Sequence, residues 1–297
     1  MNILIIKTNA LGDVVRTTPL LRKLFGNIFW ITSSKAKELL PKKNIFKICV
    51  EEELKKTLKY RFDLILNLEE DLEIAKFINL LKFKKIIGVY FDEKRKKLSY
   101  TKESSEWFDM SLISKFGKKK ADELKWKNRK SYQEILFKML GFKFKGEEYL
   151  LDYQVLTKTS KTIKKICIEK RSGEKWPMKK WPFYHIVKKH LESSGFDVQN
   201  LTQKETLFDY LKEINKCDVL LCGDTLAMHL GLYLKKKTIA LFTCTSPWEI
   251  YDYGRMIKIV NPKLKEAFYR RDYDRKLVSL IKPKDVLEAF YKLLKPE

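Results

Sequence analysis

Several loops in this chain gather the residue types that polar group transfer requires. The first runs Lys7-Thr8-Asn9-Ala10-Leu11-Gly12-Asp13 after the apolar stretch Asn2–Ile6 and leads to Thr17-Thr18-Pro19. Gly12 allows a tight turn there, and Asp13 sits where its carboxylate could either cap the next helix or take a proton from a substrate hydroxyl. The second, Arg171-Ser172-Gly173-Glu174-Lys175-Trp176-Pro177-Met178-Lys179-Lys180-Trp181-Pro182, has two Trp-Pro pairs framing a lysine-rich stretch. It reads as a solvated loop anchored by tryptophans, or as a lysine placed to neutralise a diphosphate beside backbone N–H donors. The third is Gly223-Asp224-Thr225-Leu226-Ala227-Met228-His229. Taken singly, Asp-Thr is an ordinary N-cap and His229 a core histidine; together at a helix start they suit anion binding. A fourth loop, Thr243-Cys244-Thr245-Ser246-Pro247, could add hydroxyl contacts.

The elements that must position these loops alternate along the chain. Strands are expected at Asn2–Ile6, Ile28–Thr32, Ile45–Val50, Asp63–Leu68 and Lys85–Tyr90, then at Lys164–Ile168, Phe196–Gln199, Asp218–Cys222, Thr238–Phe242 and Met256–Val260. Helices are expected at Pro19–Phe25, Tyr132–Leu140, Pro182–Leu191, Glu205–Asn215, Ala227–Leu234 and Lys284–Leu294. Residues from roughly 92 to 150 read as charged and irregular, and a second alternation begins near Thr162. Alternation of this kind predicts an α/β protein with parallel sheets, in two Rossmann-like domains facing a central cleft. The boundary is expected between residues 1–155 and 156–297, with room for the last helix to pack back on the N-terminal domain. In such sheets ligands bind beyond the carboxyl ends of the strands, where the four loops lie.

Composition narrows the function further. Of 297 residues, 62 are Lys or Arg and 38 Asp or Glu, a formal charge of +24 that calls for an anionic partner. Aromatic residues at 13% exclude a disordered basic tail, and no apolar run approaches the ~20 residues that span a bilayer. The N-terminus lacks the basic n-region of a secretory signal, and five cysteines without a CxxC pair fit buried thiols in a reducing cytoplasm. Neither G-x-G-x-x-G nor G-x-x-x-x-G-K-[ST] occurs, which disfavours dinucleotide binding and P-loop chemistry. The three histidines have no zinc-ligand spacing, and Asp272-Tyr273-Asp274 lies among arginines as a local ion-pair cluster. A basic nucleic-acid-binding protein is the alternative that the charge supports, although no RNP1-like run, zinc-finger spacing or repeat accompanies it.

Three segments carry a resemblance. ILIIKTNALGDVVRTTPLLRKL, SGEKWPMKKWP and CDVLLCGDTLAMHLGLYLKKKTIALFTCTSP are similar, in this order, to motifs of the heptosyltransferases of glycosyltransferase family 9. The resemblance implies the GT-B fold, an acceptor-binding N-terminal domain and a nucleotide-sugar-binding C-terminal one. It implies transfer of heptose from ADP-heptose to the inner core of lipopolysaccharide or a related glycolipid, with inversion and without a metal or other cofactor. Position by position, Asp13 matches the family's base and Lys179 the lysine on the donor phosphates. Asp224, Thr225, Met228 and His229 match its donor-site motif, with Gly12, Lys175, Thr245 and Ser246 as further phosphate or loop contacts. Leu226 stands where the family usually has glycine, Lys175 replaces a small residue, and Thr243-Cys244 replaces Gly-Pro, so another nucleotide-sugar is the alternative donor. The implied partners are a nucleotide-sugar and an anionic glycolipid, with no nucleic acid. The implied place is the cytoplasm, at the inner membrane face, with Lys94–Lys97 and Lys118–Lys120 facing anionic lipid.

Overall fold

Every residue of the run Ile3-Leu4-Ile5-Ile6 is buried, because β1 (Asn2–Ile6) lies at the centre of a sheet covered on both faces. Leu4 and Ile6 pack with Phe29, Phe62 and Ile65 on one face, while Ile3 and Ile5 pack with Val14, Trp30 and Leu40 on the other. The computed structural model describes residues 1–154 and 163–294. They fall into two compact units, Met1–Tyr153 and Gln154–Glu297. The expected boundary at 155/156 and the expected start near Thr162 lie outside the described residues.

The first unit has β2 (Asn27–Thr32), β3 (Lys47–Val50), β4 (Arg61–Asn67), β5 (Lys82–Asp92) and β6 (Lys97–Tyr100) beside β1, in the order β3-β2-β1-β4-β5-β6. The first five are parallel and β6 returns antiparallel to β5. The chain therefore leaves β1 toward β2 on one side and comes back to β4 on the other. That reversal opens a crevice at the carboxyl end of β1, where Lys7 to Asp13 emerge.

In the second unit β7 (Lys165–Glu169), β8 (Asp197–Asn200), β9 (Val219–Gly223), β10 (Lys237–Phe242) and β11 (Met256–Val260) are all parallel, in the order β11-β10-β9-β7-β8. Here the switch falls between β7 and β9, whose carboxyl ends carry the tryptophan-framed loop and Gly223-Asp224-Thr225. The last helix, Pro283–Leu294, packs on the helix Tyr184–Ser193 and on β10 and β11. Phe290 meets Phe196 edge-on at 5.0 Å, so its apolar stripe is used within the second unit.

Two expectations change. The helix expected at Pro19–Phe25 begins earlier, as Leu11–Thr17, and Pro19 sits in a tighter turn over Thr18–Arg22. Ala10 takes the left-handed conformation that ends the loop (φ 57°), so Gly12 is helical and makes no turn. The stretch from 92 to 150 is not irregular: besides the helix expected near Tyr132, observed as Tyr132–Met139, it holds β6 and helices at Ser105–Phe108 and Gly117–Lys127. Its lysines hide the pattern, since Gly117–Lys127 buries only Ala121.

Gly88 on β5 is the tightest point of the first sheet. It has φ +107°, and a Cβ there would lie 1.9 Å from the Asn67 carbonyl oxygen. Gly88→Ala is expected to destabilise the first unit by more than ~2 kcal/mol in urea unfolding, from backbone strain plus displacement of β4. An unchanged midpoint would contradict this packing.

Candidate functional site

In the first unit the helix Leu11–Thr17 carries Asp13 in its opening turn, where the helix dipole favours a carboxylate. Arg16, one turn on, places Nη2 3.1 Å from Asp13 Oδ1, and Lys7 Nζ lies 4.0 Å from Oδ2. Lys7 is buried because Glu69 receives it: Lys7 Nζ donates to Glu69 Oε1 at 2.8 Å. The same oxygen accepts the Thr8 and Asn9 amides at 2.6 and 2.8 Å. Burial pulls the Lys7 pKa down, but Asp13 and Glu69 more than reverse this, so Lys7 stays charged.

Arg16 lies 4.1 Å from the ring centre of Tyr132 and 5.6 Å from that of Trp107. Thr17 Oγ1 donates to the Asp13 carbonyl at 2.7 Å and lies 3.0 Å from the Tyr132 hydroxyl. Burial raises the Tyr132 pKa, keeping that phenol neutral. Asp13 is thus a partly exposed carboxylate held between two cations, within reach of a substrate hydroxyl.

In the second unit the two Trp-Pro pairs do the anchoring. Trp181 is buried, with its Nε1 donating to the Ile281 carbonyl at 3.0 Å, and Met178 beside it is fully buried. Between them the short turn Pro177–Lys179 delivers Lys179, whose Nζ donates to the Asp224 carbonyl at 2.5 Å and to Oδ2 at 2.9 Å. These bonds use two of the three ammonium donors and leave one for a ligand. Asp224 precedes Thr225, the N-cap of the helix Leu226–Tyr233. In that first turn the Met228 amide bonds back to the Thr225 carbonyl at 3.1 Å, while the amides before it precede the regular ladder of the helix.

Around this pair the carboxyl ends of β7, β9 and β10 carry hydroxyls and a carboxylate that the protein does not satisfy. Ser172 Oγ, Thr225 Oγ1, Ser246 Oγ and Glu249 Oε1 are buried without a hydrogen-bond partner in the protein. Such groups cost about 1–3 kcal/mol each when left unpaired. Ser172 and Thr225 also line a cavity of about 330 Å³ with Glu169, Arg171, Leu226 and Ala227. Arg171 bonds Glu169 in a fork, through Nε at 2.9 Å and Nη2 at 2.6 Å, and the Tyr210 hydroxyl donates to the same carboxylate.

The structure therefore brings Lys179, Asp224 and Thr225 together, and His229, buried on the following helix, adds to the field on Asp224. Thr245 is buried as well, and its hydroxyl has no hydrogen-bond partner in the protein. Met228 is fully buried in the helix and packs as core. Lys175 is exposed, and its carbonyl accepts from Arg271 Nη1 at 3.3 Å. Leu226 stands in the cavity wall, where its side chain occupies space that a glycine would leave. Asp272 and Asp274 pair with Arg270. Among the described residues no group of three or more His, Cys, Asp and Glu is placed to hold a metal.

Sequence reasoning missed Lys7, Arg16 and Glu69 around Asp13, and the Glu169–Arg171–Tyr210 cluster. Glu69 and Glu169 end or follow strands, which was the available signal. Nothing in the sequence points to Tyr132, which reaches Arg16 from a helix more than a hundred residues away.

Residues 184–276 match the family model of glycosyltransferase family 9 (heptosyltransferase). Compared with curated proteins, the chain has no match. Among solved structures it is similar to a family 9 glycosyl transferase from Veillonella parvula, at 16% identity and a TM-score of 0.67 over 99% of this chain and 97% of that one. It is also similar to the E. coli heptosyltransferase WaaC with ADP, at 15% identity and TM-score 0.63 over 98% and 99%. A third is the iron-containing dodecameric glycosyltransferase TibC from enterotoxigenic E. coli, at 11% identity and TM-score 0.60 over 98% and 76%. At these identities the likeness establishes the fold, two parallel-sheet α/β units in the GT-B arrangement of elements.

Burial pushes the Asp224 carboxyl up, and Lys179 and His229 more than offset it, leaving a pKa of about 2. The unfolded value is about 3.9, so this group stabilises the fold above that pH, and the contribution is lost as pH falls toward 2. Lys179→Met is expected to lower stability at neutral pH by roughly 2 kcal/mol and by far less near pH 2, read by urea unfolding at both. An equal loss at both pH values would contradict the pairing.

Proposed function

We propose that this chain, which carries a glycosyltransferase family 9 domain over residues 184–276, transfers a sugar from a nucleoside-diphosphate donor to a hydroxyl of an anionic glycolipid. The observation that supports this reading best is the arrangement at the ends of β7, β9 and β10. A half-buried lysine with one donor to spare, a helix N-terminus and unsatisfied buried hydroxyls together suit a diphosphate with its polar sugar and ribose. The second unit is the donor-binding unit in this proposal, and the first, with Asp13, binds the acceptor.

Asp13 acts as general base. An acceptor hydroxyl ionises far above neutrality, so its proton must leave as the new bond to the anomeric carbon forms. Asp13 takes it, a contribution of typically ~10²–10⁴-fold. Attack opposite the leaving group inverts the anomeric centre. The departing nucleoside diphosphate gains negative charge, which the Lys179 ammonium and the amides near Thr225–Ala227 are placed to stabilise. Lys7 and Arg16 hold Asp13 oriented while it waits for substrate.

ADP-heptose is the proposed donor, with the inner core of lipopolysaccharide or a related glycolipid as acceptor. The WaaC structure with ADP supports the nucleotide, since its fold is shared along nearly the whole chain. A second reading keeps the chemistry and changes the donor. Leu226 in the cavity wall favours it, because a leucine there alters the space beside the helix start.

Thermal shift and turnover with ADP-, UDP-, GDP- and CMP-sugars test the assignment. Preferential stabilisation by ADP-heptose is expected, and stabilisation only by another nucleotide-sugar would overturn that donor. Asp13→Asn is expected to reduce transfer at least ~100-fold while leaving donor binding within about twofold. Full activity in this variant would remove Asp13 from the base role.

A further inference from the structure

The first unit presents one surface whose make-up neither Asp13 nor the sheet explains. After the helix Ser105–Phe108 the chain runs Asp109-Met110-Ser111-Leu112-Ile113-Ser114-Lys115-Phe116-Gly117-Lys118-Lys119-Lys120. Phe108 and Met110 are buried and pin its start. The Tyr100 hydroxyl holds the next part, donating to Asp109 Oδ1 at 2.7 Å and accepting the Lys115 amide at 3.0 Å. The segment is therefore fixed, and yet Leu112 is 74% exposed and Phe116 51%. Every residue from Lys115 to Lys120 is exposed. Lys118 and Lys120 make surface pairs with Asp122 and Glu123, whereas Lys119 has no ion pair of this kind and Lys115 lies 4.9 Å from the Phe116 ring centre.

We propose that this segment is a docking surface for a bilayer bearing anionic lipid. A pinned loop that holds a leucine and a phenylalanine outward among lysines matches the interfacial layer of a membrane. The apolar side chains enter the acyl boundary and the ammonium groups meet anionic headgroups. Surface pairs with Asp122 and Glu123 are weak enough to be exchanged for headgroups. The other basic run, Lys94-Arg95-Lys96-Lys97, does not share this character. It lies at the β5–β6 turn, where Arg95 and Lys96 pair with Asp92 and Glu93 and no large apolar side chain is fully exposed.

The surface also borders the Asp13 site within the same unit. Trp107, two residues before it, is one of the two rings that lie against Arg16. A membrane-borne acceptor would thus enter beside the carboxylate. This role in delivery rests on the transferase reading, whereas the membrane contact itself does not.

Vesicle flotation tests the contact with no donor or acceptor present. The full chain is mixed with vesicles of phosphatidylcholine alone or of phosphatidylcholine and phosphatidylglycerol, two to one. Binding to the anionic vesicles is expected to be at least ~tenfold stronger and to weaken in high salt. Leu112→Ser with Phe116→Ser is expected to cut that binding roughly tenfold, and Lys115→Gln with Lys119→Gln by a similar factor. All four positions are exposed, so an unchanged circular-dichroism melt checks that each variant folds. Equal binding to both vesicles, or variants that bind as the wild type does, would overturn the proposal. So would a surface whose lysines bind duplex DNA but not vesicles. Donor thermal shift is read separately: its failure alone leaves the membrane surface standing, and loss of vesicle binding alone leaves the transferase reading standing.

Discussion

A half-buried lysine and aspartate, joined across the switch point of a parallel sheet, are what the second unit is arranged to hold. Lys179 comes from a turn after β7 and Asp224 from the end of β9, adjacent strands whose loops the topology forces together. Placing two charges there costs desolvation, and the pair is tolerable only because each partner finds the other and the carbonyl beside it. The tryptophans serve that end. Trp181 and Met178 fill the core so that the turn between them cannot drift, and the ammonium arrives where a helix begins. The same spot also holds the amides of a helix start and unsatisfied buried hydroxyls, which is why a diphosphate is proposed there.

The first unit solves a related problem with opposite signs. A carboxylate proposed as a base has to remain reachable. Glu69 gathers Lys7 and two backbone amides, which fixes the loop and brings Lys7 near Asp13. Arg16 braces the other carboxylate oxygen against the rings of Tyr132 and Trp107. The proposed base is thus oriented by groups that need not touch a substrate themselves.

Much of this was legible in the residues. Strands buried on both faces write themselves as continuous apolar runs, so β1, β9 and β10 stand out, and the rule that ligands sit at carboxyl ends of strands singles out the loops that carry Asp13, Lys179 and Asp224. Lys179, Asp224 and Thr225 could be picked from their positions. What stayed hidden was long-range or masked. The helix Gly117–Lys127 touches the core through one alanine and so has no apolar periodicity to read. Tyr132 meets Arg16 through tertiary packing alone. Gly12 suggested a turn, but the left-handed residue is Ala10, because the helix starts as soon as the loop ends. Burial of the hydroxyls of Ser172 and Ser246 is likewise a property of packing, with no trace in residue type.

The central claim is that the Lys179–Asp224 pair and the helix start beside it receive a nucleoside diphosphate. Amide hydrogen exchange with and without ADP tests it most directly. Slower exchange is expected at Ser172–Gly173 and at Thr225–Ala227, and this protection should be largely lost in Lys179→Met. Protection confined to other segments, or protection that survives the loss of Lys179, would contradict the account.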